Sequence, residues 1–449
     1  MNRLKYLATA LLTTSLIATC YGQNISYSEL SPMPEPVTNN AVTGATVNGI
    51  PHVFSFAGMD STKACGAAHL RSYKYNAATD EWTQIADLPD ALGGVVAAGA
   101  STVNNEVYII GGYHIRDDCS EVSSKAVHRY DPTTDSYEKL TNIPIAIDDH
   151  VQVPWRDSLI YVITGWSNST NVTQVQIYNT TTDQWTMGTP VPNDPQWRVF
   201  GASGVMHAAT NTIYYLGGAS LICNSSSCFG PTNLLRKGVI DDDDPSIITW
   251  TSEESDAAIG YRMAATTVDD TPLWIGGSDL TYNFDGVDYN GSGGVDPNGR
   301  VTELFVNVVD ELIPYEAAAP PVMDLRGIAA VGSRSLIVCG GMLPEQVVTN
   351  NTYLIHINTL TNVPKVGPQD VDVLVTPNPT ADQLQVRVTS DDVVSATLVL
   401  RAVSGDHIST TELSAGESQV DLTGLCTGMY YYQLVAGGQL IKSGSVVKL

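Results

Sequence analysis

One pattern constrains this 449-residue chain more than any other. Six times, a short run of β-branched and aromatic residues ends in Gly-Gly or a near relative. The runs are Phe54–Gly58, Tyr108–Gly112, Tyr161–Gly165, Tyr214–Gly218, Leu273–Gly277 and Ile337–Gly341, and their last glycines stand 54, 53, 53, 59 and 64 residues apart. A unit recurring at such a period is one supersecondary element that cannot bury its apolar face alone and must stack against copies of itself. A second signal runs in phase with the first. Tyr75 and Trp82, Tyr130 and Tyr137, and Tyr178 and Trp185 each stand seven residues apart, around the turn sequences Asn76–Asp80, Asp131–Asp135 and Asn179–Asp183. Two apolar runs joined by such a turn predict a hairpin, and each unit has room for four short strands. The 38 glycines and 23 prolines punctuate strands and disfavour long helices. The expectation is an all-β chain in which six four-stranded sheets surround an axis and cover one another's faces.

Charge narrows the function. With 22 Lys+Arg against 47 Asp+Glu the formal charge is −25. Nucleic-acid binding needs clustered cations, so no nucleic-acid partner is expected. The N-terminus reads as a secretory signal over residues 1–22, with Arg3 and Lys5 before an apolar run, Tyr6–Ala18, too short to span a bilayer. Processing as a lipoprotein at Cys20 is the alternative. No other segment is apolar and long enough for a transmembrane helix. Residues 366–372 read as a linker. Beyond them, runs such as Gln383–Val388 and Ala396–Arg401 alternate apolar and polar residues, which predicts a small β-sandwich over residues 373–449.

On these marks, residues 25–365 resemble a Kelch-type six-bladed β-propeller, the fold also found in the central domain of galactose oxidase. Blades four to six are degenerate. Blade four has Asp241–Asp244 and Pro245 before Trp250 in place of the aromatic spacing, and blade five carries an insertion between Gly277 and about Arg300. The segment Ile25–Pro34 is similar to the outer strands Trp82–Pro89 and Trp185–Pro192, so it is expected to supply the missing fourth strand of blade six. The C-terminal region resembles the type A sorting domain of the type IX secretion system. The matching residues are Pro377, Asn378 and Pro379, then Gly428 and Tyr430, and finally Lys442 and Lys448. This resemblance implies export by the type IX machinery and a secreted or outer-membrane surface-attached protein, with an Ig-like sandwich as its last module.

The propeller resemblance places function on the face where loops enter the inner strands. Counting fifteen residues back from the last glycine of each unit reaches Thr43, Ala97, His150, Ser203, Arg262 and Arg326, with Asp148, Asp149, Tyr261 and Asp324 one or two positions earlier. Arginine presents a fork suited to carboxylate or sulfate. His150, Arg262 and Arg326, with Asp149, Tyr261 and Asp324, are therefore candidate ligand-binding residues for a glycan or protein ligand. The competing expectation is that the arginines pair with these aspartates as structural ion pairs. Loop aromatics His114, Trp166 and Trp197 are candidates to stack on sugar rings.

No nucleophile elbow, paired-acid constellation or cofactor signature is visible, so a binding protein leads over an enzyme. The enzymatic alternative is a sialic acid mutarotase-like activity with His150 as proton shuttle. A structural or adhesive role is the third. The copper chemistry of galactose oxidase is not expected, and no cofactor or metal site is assigned. The loop Asp285–Asn298 offers oxygens to calcium but lacks EF-hand spacing. Cys65 and Cys119 each lie seven residues past their blade's last glycine and are expected to pair. Cys223 and Cys228 bracket a short polar loop that could close on itself. Cys339 and Cys426 read as buried.

Overall fold

The computed structural model describes residues 25–222, 228–306, 310–358, 372–389, 395–402, 407–414, 416–436 and 439–449. The signal segment, Cys20, Cys223 and the expected linker lie outside them. Two compact units divide the chain, Met1–Leu304 with Leu312–Leu360, and Phe305–Glu311 with Thr361–Leu449.

The first unit is a six-bladed propeller. Blade one runs outward through Ala41–Val47, Ile50–Met59, Ala68–Asn76 and Glu81–Ile85. Blades two to four follow from Gly99, Val151 and Ser203, and blade five is built from Ala264–Val268, Thr271–Ile275, Val301–Phe305 and Glu311–Tyr315. Blade six has Ala329–Gly332, Ser335–Cys339 and Thr352–Ile357, and its outer strand is Ile25–Leu30, antiparallel to Thr352–Ile357. The ring therefore closes as expected, by joining the first strand of the chain to the last three of the propeller.

Backbone hydrogen bonds explain the glycine pairs. The N–H of each unit's last glycine reaches into the next blade. Gly58 donates to Val95, Gly112 to Ile147, Gly165 to Val199, Gly218 to Gly260, Gly277 to Val322 and Gly341 back to Val37, all at 2.8–3.0 Å. The chain must turn with positive φ here, as at Gly217 (66°) and Gly218 (89°). A Cβ at Gly217 would stand 1.9 Å from the Gly260 carbonyl oxygen. Only glycine allows both the turn and the approach.

The aromatic pairs explain themselves at the rim. Tyr75 faces Trp82, Tyr130 faces Tyr137 and Tyr178 faces Trp185 in cross-strand register, with ring centroids 5.3, 4.8 and 4.9 Å apart. Each tyrosine hydroxyl donates to the aspartate ending its own turn, Asp80, Asp135 or Asp183. Each aspartate also accepts an N–H from the neighbouring blade, from Ser31, Ala86 and Thr141 respectively, at 2.9–3.0 Å. The motif is thus an inter-blade staple. Its aspartates sit in the left-handed region at φ 52–55°, a conformation Asp tolerates better than most residues.

The second unit is a sandwich of two sheets. One has the order Asp372–Thr376, Gln383–Thr389, Gly416–Asp421, and the other His407–Ser414, Ser395–Ala402, Gly428–Ala436, Gln439–Lys448. Strict alternation along Gln383–Thr389 buries Leu384, Val386 and Val388 against Leu398, Leu400 and Leu434. The sorting motif is mostly structural glue here. Asn378 donates to the Ser445 carbonyl and accepts from the Val447 N–H, tying the last strand down. Lys448 is buried and pairs with Asp382, Lys442 donates to the Val373 carbonyl, and the Tyr430 hydroxyl donates to the Cys426 carbonyl. Cys426 itself is exposed, not buried as its apolar neighbours suggested, because it lies in the turn before Gly428.

Three stability outcomes follow from the ring. Deleting residues 24–33 removes the outer strand of blade six, and the melting temperature is expected to fall by several degrees in a thermal scan. Replacing Asp80, Asp135 or Asp183 by Asn is expected to cost about 1 kcal/mol each in denaturant titrations. The Tyr75 hydroxyl holds the Asp80 carboxyl below its ordinary value. Partial burial pushes Asp183 the other way but is outweighed by the Tyr178 hydroxyl and the Thr141 amide. Carboxyls lowered by folding stabilise above their ordinary pKa and lose that contribution as acid protonates them. The Asp80→Asn, Asp183→Asn double variant should therefore show a flatter decline of stability below the ordinary aspartate range.

Candidate functional site at the loop face

Each inner strand is entered through one residue in the left-handed region: Asn39, Ala97, Asp149, Gly201, Arg262 and Asp324, with φ between 47° and 66°. Their backbones are chained around the axis. Ala97 N–H donates to Asn39 C=O, Asp149 to Ala97, Gly201 to Asp149 and Arg262 to Gly201, at 2.7–3.2 Å, while Leu325 N–H donates to Arg262 C=O. This ring is the true set of equivalent positions. Counting back from the glycines reaches it at Ala97 and Arg262, falls short by one at His150, by two at Ser203 and Arg326, and by four at Thr43, because the intervening hairpins differ in length.

The ring divides the candidate residues between two spaces. Arg262 lies at its centre and is 1% exposed. Its Nε and Nη2 donate to the two oxygens of Asp149 at 3.1 and 2.7 Å, and its Nη1 donates to Asp324 at 2.8 Å. The guanidinium also lies over the rings of Tyr261 and Tyr282, 5.1 and 5.5 Å from their centroids. Asp324 accepts a further bond from the Thr38 hydroxyl. Arg326 lies behind this layer, with Nη1 3.1 Å from Asp149 and Nη2 donating to the His150 carbonyl. Burial works against ionisation of Asp149, but the charges of Arg262 and Arg326 outweigh it and hold the carboxyl below its ordinary range. Asp148 has no such partner. Burial, reinforced by the Asp149 charge, pushes its carboxyl well up, and the Ser123 hydroxyl donates to it.

Below the ring runs the axial channel, about 360 Å³, walled by the inner strands of all six blades and lined by His150, Gln152, Ser101 and Arg326 among small residues. Burial lowers the His150 pKa to about 4, and its Nε2 lies 3.0 Å from the Gln152 side-chain oxygen. His150 is therefore neutral and adds no cation beside the arginines.

Above the ring, on the loop face, is a cavity of about 260 Å³. Its walls are aromatic: Tyr113, Trp166, Phe200, Phe229 and Tyr289. Phe200 and Phe229 meet edge to face at 5.0 Å, and Trp166 packs on both at 5.8 and 5.5 Å. Glu121, Asp148, Asp149 and Asn283 supply oxygens, and Arg262 forms part of the floor. Small hairpins between second and third strands place several of these groups: Tyr113–Ile115 with Glu121–Ser123, Trp166–Ser167 with Thr170–Asn171, and Ala219–Leu221 with Phe229–Pro231. Asn283 and Tyr289 come from the blade-five insertion, which is tied down by Phe284 buried beside Met59 and Tyr113, and by Lys63 donating to the Asp285 and Gln346 carbonyls.

Of the three loop aromatics, Trp166 lines this cavity. His114 is buried with Nδ1 3.0 Å from the Gly94 carbonyl, and Trp197 is buried against Trp250. Tyr261 is buried beneath the cavity wall, edge to face with Phe200. Cavity residues Tyr113, Glu121, Phe200, Phe229, Asn283 and Tyr289 carried no motif, although their place beside the glycine-ended strands could have flagged them. The loop with calcium-like composition spends Asp285 and Asp288 on its own turns, accepting the Val287 and Asn290 N–H groups. Cys65 and Cys119 form the expected disulfide between the loops of blades one and two. Cys228 is disulfide-bonded, while Cys223 lies outside the described residues. Cys339 is buried, and burial pushes its thiol up to about 12.

Fold and face together define a Kelch-type β-propeller delivered by a sorting domain. Residues 95–144 and 157–192 match the Kelch motif, and residues 374–448 match the secretion system C-terminal sorting domain. Kelch-like protein terF of Aspergillus terreus is 25% identical over 283 residues, 56% of this chain and 58% of that protein. Kelch-like protein 25 of Xenopus tropicalis is 28% identical over 116 residues, 26% of this chain and 16% of that protein. The chain thus spans less than two thirds of the length of either relative. Among solved structures, YjhT is similar with a TM-score of 0.53 at 16% identity, covering 73% of this chain and 97% of that one, a likeness of fold. The sorting domain marks the chain for type IX secretion, so the protein is secreted or attached at the cell surface. No described helix is long and apolar enough to cross a membrane.

Replacing Arg262 by Ala would leave the buried Asp324 without its ion-pair partner and Asp149 with Arg326 alone. Breaking such a pair costs about 3–5 kcal/mol, so the variant is expected to unfold at much lower denaturant, as followed by tryptophan fluorescence.

Proposed function

We propose that the protein is a surface-delivered glycan-binding propeller whose ligand sits in the loop-face cavity. The observation that carries this reading is the coincidence of aromatic walls with a few polar side chains. Trp166, Phe229 and Tyr289 offer apolar faces of the kind that cover the C–H face of a sugar ring, and Glu121, Asp148 and Asn283 offer hydrogen-bond partners for its hydroxyls. Pockets that recognise small ligands have this composition, mostly apolar with a few placed polar groups. Packing and the anchored insertion fix these side chains before a ligand arrives, which lowers the ordering cost of binding.

The cavity supports binding rather than turnover. Arg262 is committed to two aspartates, and His150 and Arg326 line the channel on the other side of the ionic layer, so the three groups expected to serve a mutarotase are split between two spaces. Titration against immobilised glycans tests the proposal. Trp166→Ala is expected to weaken binding at least tenfold while leaving the melting temperature within a few degrees of the parent. Binding that survives both Trp166→Ala and Phe229→Ala would place the ligand elsewhere.

A further inference from the structure

We infer that the cavity selects amino sugars with a free ammonium group, such as the glucosamine units of a deacetylated polysaccharide, over acidic or N-acetylated glycans. This rests on the glycan reading above and adds the charge of the ligand.

An acidic sugar needs a cation with free donors. Arg262 is the one cationic residue lining the cavity among the described residues, and its Nε, Nη1 and Nη2 are all engaged by Asp149 and Asp324 at 2.7–3.1 Å. No bidentate fork remains for a ligand carboxylate. A carboxylate placed there would also meet the carboxyl group of Glu121, in a protein whose formal charge is −25.

The same groups favour an ammonium. The charge of Asp149 is answered by two guanidiniums. Glu121 has no ion pair among the described residues; partial burial pushes its carboxyl up, against the charge of Arg262 and a hydrogen bond from Asn283, so an ammonium in the cavity would supply the contact partner it lacks. Tyr113, Trp166, Phe200, Phe229 and Tyr289 line the same cavity, and aromatic quadrupoles attract a cation. The two demands coincide in an amino sugar, which presents an apolar ring face and an ammonium on one rigid frame. N-acetylation removes the charge and adds bulk to a cavity of about 260 Å³, below the ~300–1,000 Å³ of common ligand pockets.

Calorimetry on the full chain tests this with four probes: a glucosamine tetrasaccharide, its N-acetylated counterpart, an oligogalacturonate and a lysine-containing peptide. The glucosamine tetrasaccharide is expected to bind at least tenfold more tightly than the acetylated form. That ratio should shrink in Glu121→Gln and in high salt, and oligogalacturonate should not bind. Equal or tighter binding of the acetylated or acidic sugar, still dependent on Trp166, overturns the selectivity and leaves the glycan site standing. Binding of no sugar, with or without binding of the peptide, overturns the glycan reading and this inference with it.

Discussion

The backbone hydrogen bonds between blades are the constraint on which everything else in the propeller depends. Each blade alone is a four-stranded sheet with two apolar faces, too thin to form a core. The six glycine N–H bonds and the chain of left-handed residues around the axis fix how far each sheet can rotate against the next. Once that angle is fixed, the faces bury one another. Clusters such as Val151, Tyr161 and Ile177 with Tyr215 and Ile213 span two blades, not one. The closing bond from Gly341 to Val37 and the strand pairing of Ile25–Leu30 with Thr352–Ile357 are the same device applied between the two ends of the ring.

That ring also decides what the axial side chains can do. The left-handed turn aims one side chain per blade at the axis, and six large ones would not fit. Ala97 and Gly201 give way, and a Cβ at Gly201 would already stand 2.2 Å from the Tyr261 ring. Arg262 reaches from blade five to Asp149 of blade three and Asp324 of blade six. Buried charges of this kind earn little net stability over apolar packing. Their consequence is geometric, since the layer separates a polar channel containing a neutral His150 from an aromatic cavity open on the loop face.

How much of this could be read from residues follows from the same geometry. The glycine pairs and the Tyr-to-Asp turns are local devices, repeated wherever an inter-blade bond must be made, so they are visible in sequence and yield the blade count, the closure strand and the Cys65–Cys119 pairing. The axial set is not local. Its residues are equivalent in space but separated from the glycines by hairpins of different length, so a fixed offset finds Arg262 and Ala97 and misses Asn39 and Gly201. The cavity was least legible. Phe200, Phe229 and Tyr289 approach one another from blades four and five, where the repeat is degenerate, and nothing in their spacing announces that they meet.

Degeneracy and function are linked here by a physical argument. A blade that keeps every repeat mark spends its aromatics at the rim, as Tyr75, Tyr130 and Tyr178 are spent on staples to a neighbouring blade. In blade four, Trp250 keeps the inter-blade bond of Trp82 and Trp185, its Nε1 donating to the Thr189 carbonyl, and it also packs on Trp197 and Tyr215. The insertion of blade five lies in a different loop, between its second and third strands, Thr271–Ile275 and Val301–Phe305. It is long enough to reach Lys63 of blade one, and it brings Asn283 and Tyr289 to the cavity. The regular blades supply the rigid frame, and the irregular ones supply the side chains that give the cavity its chemistry.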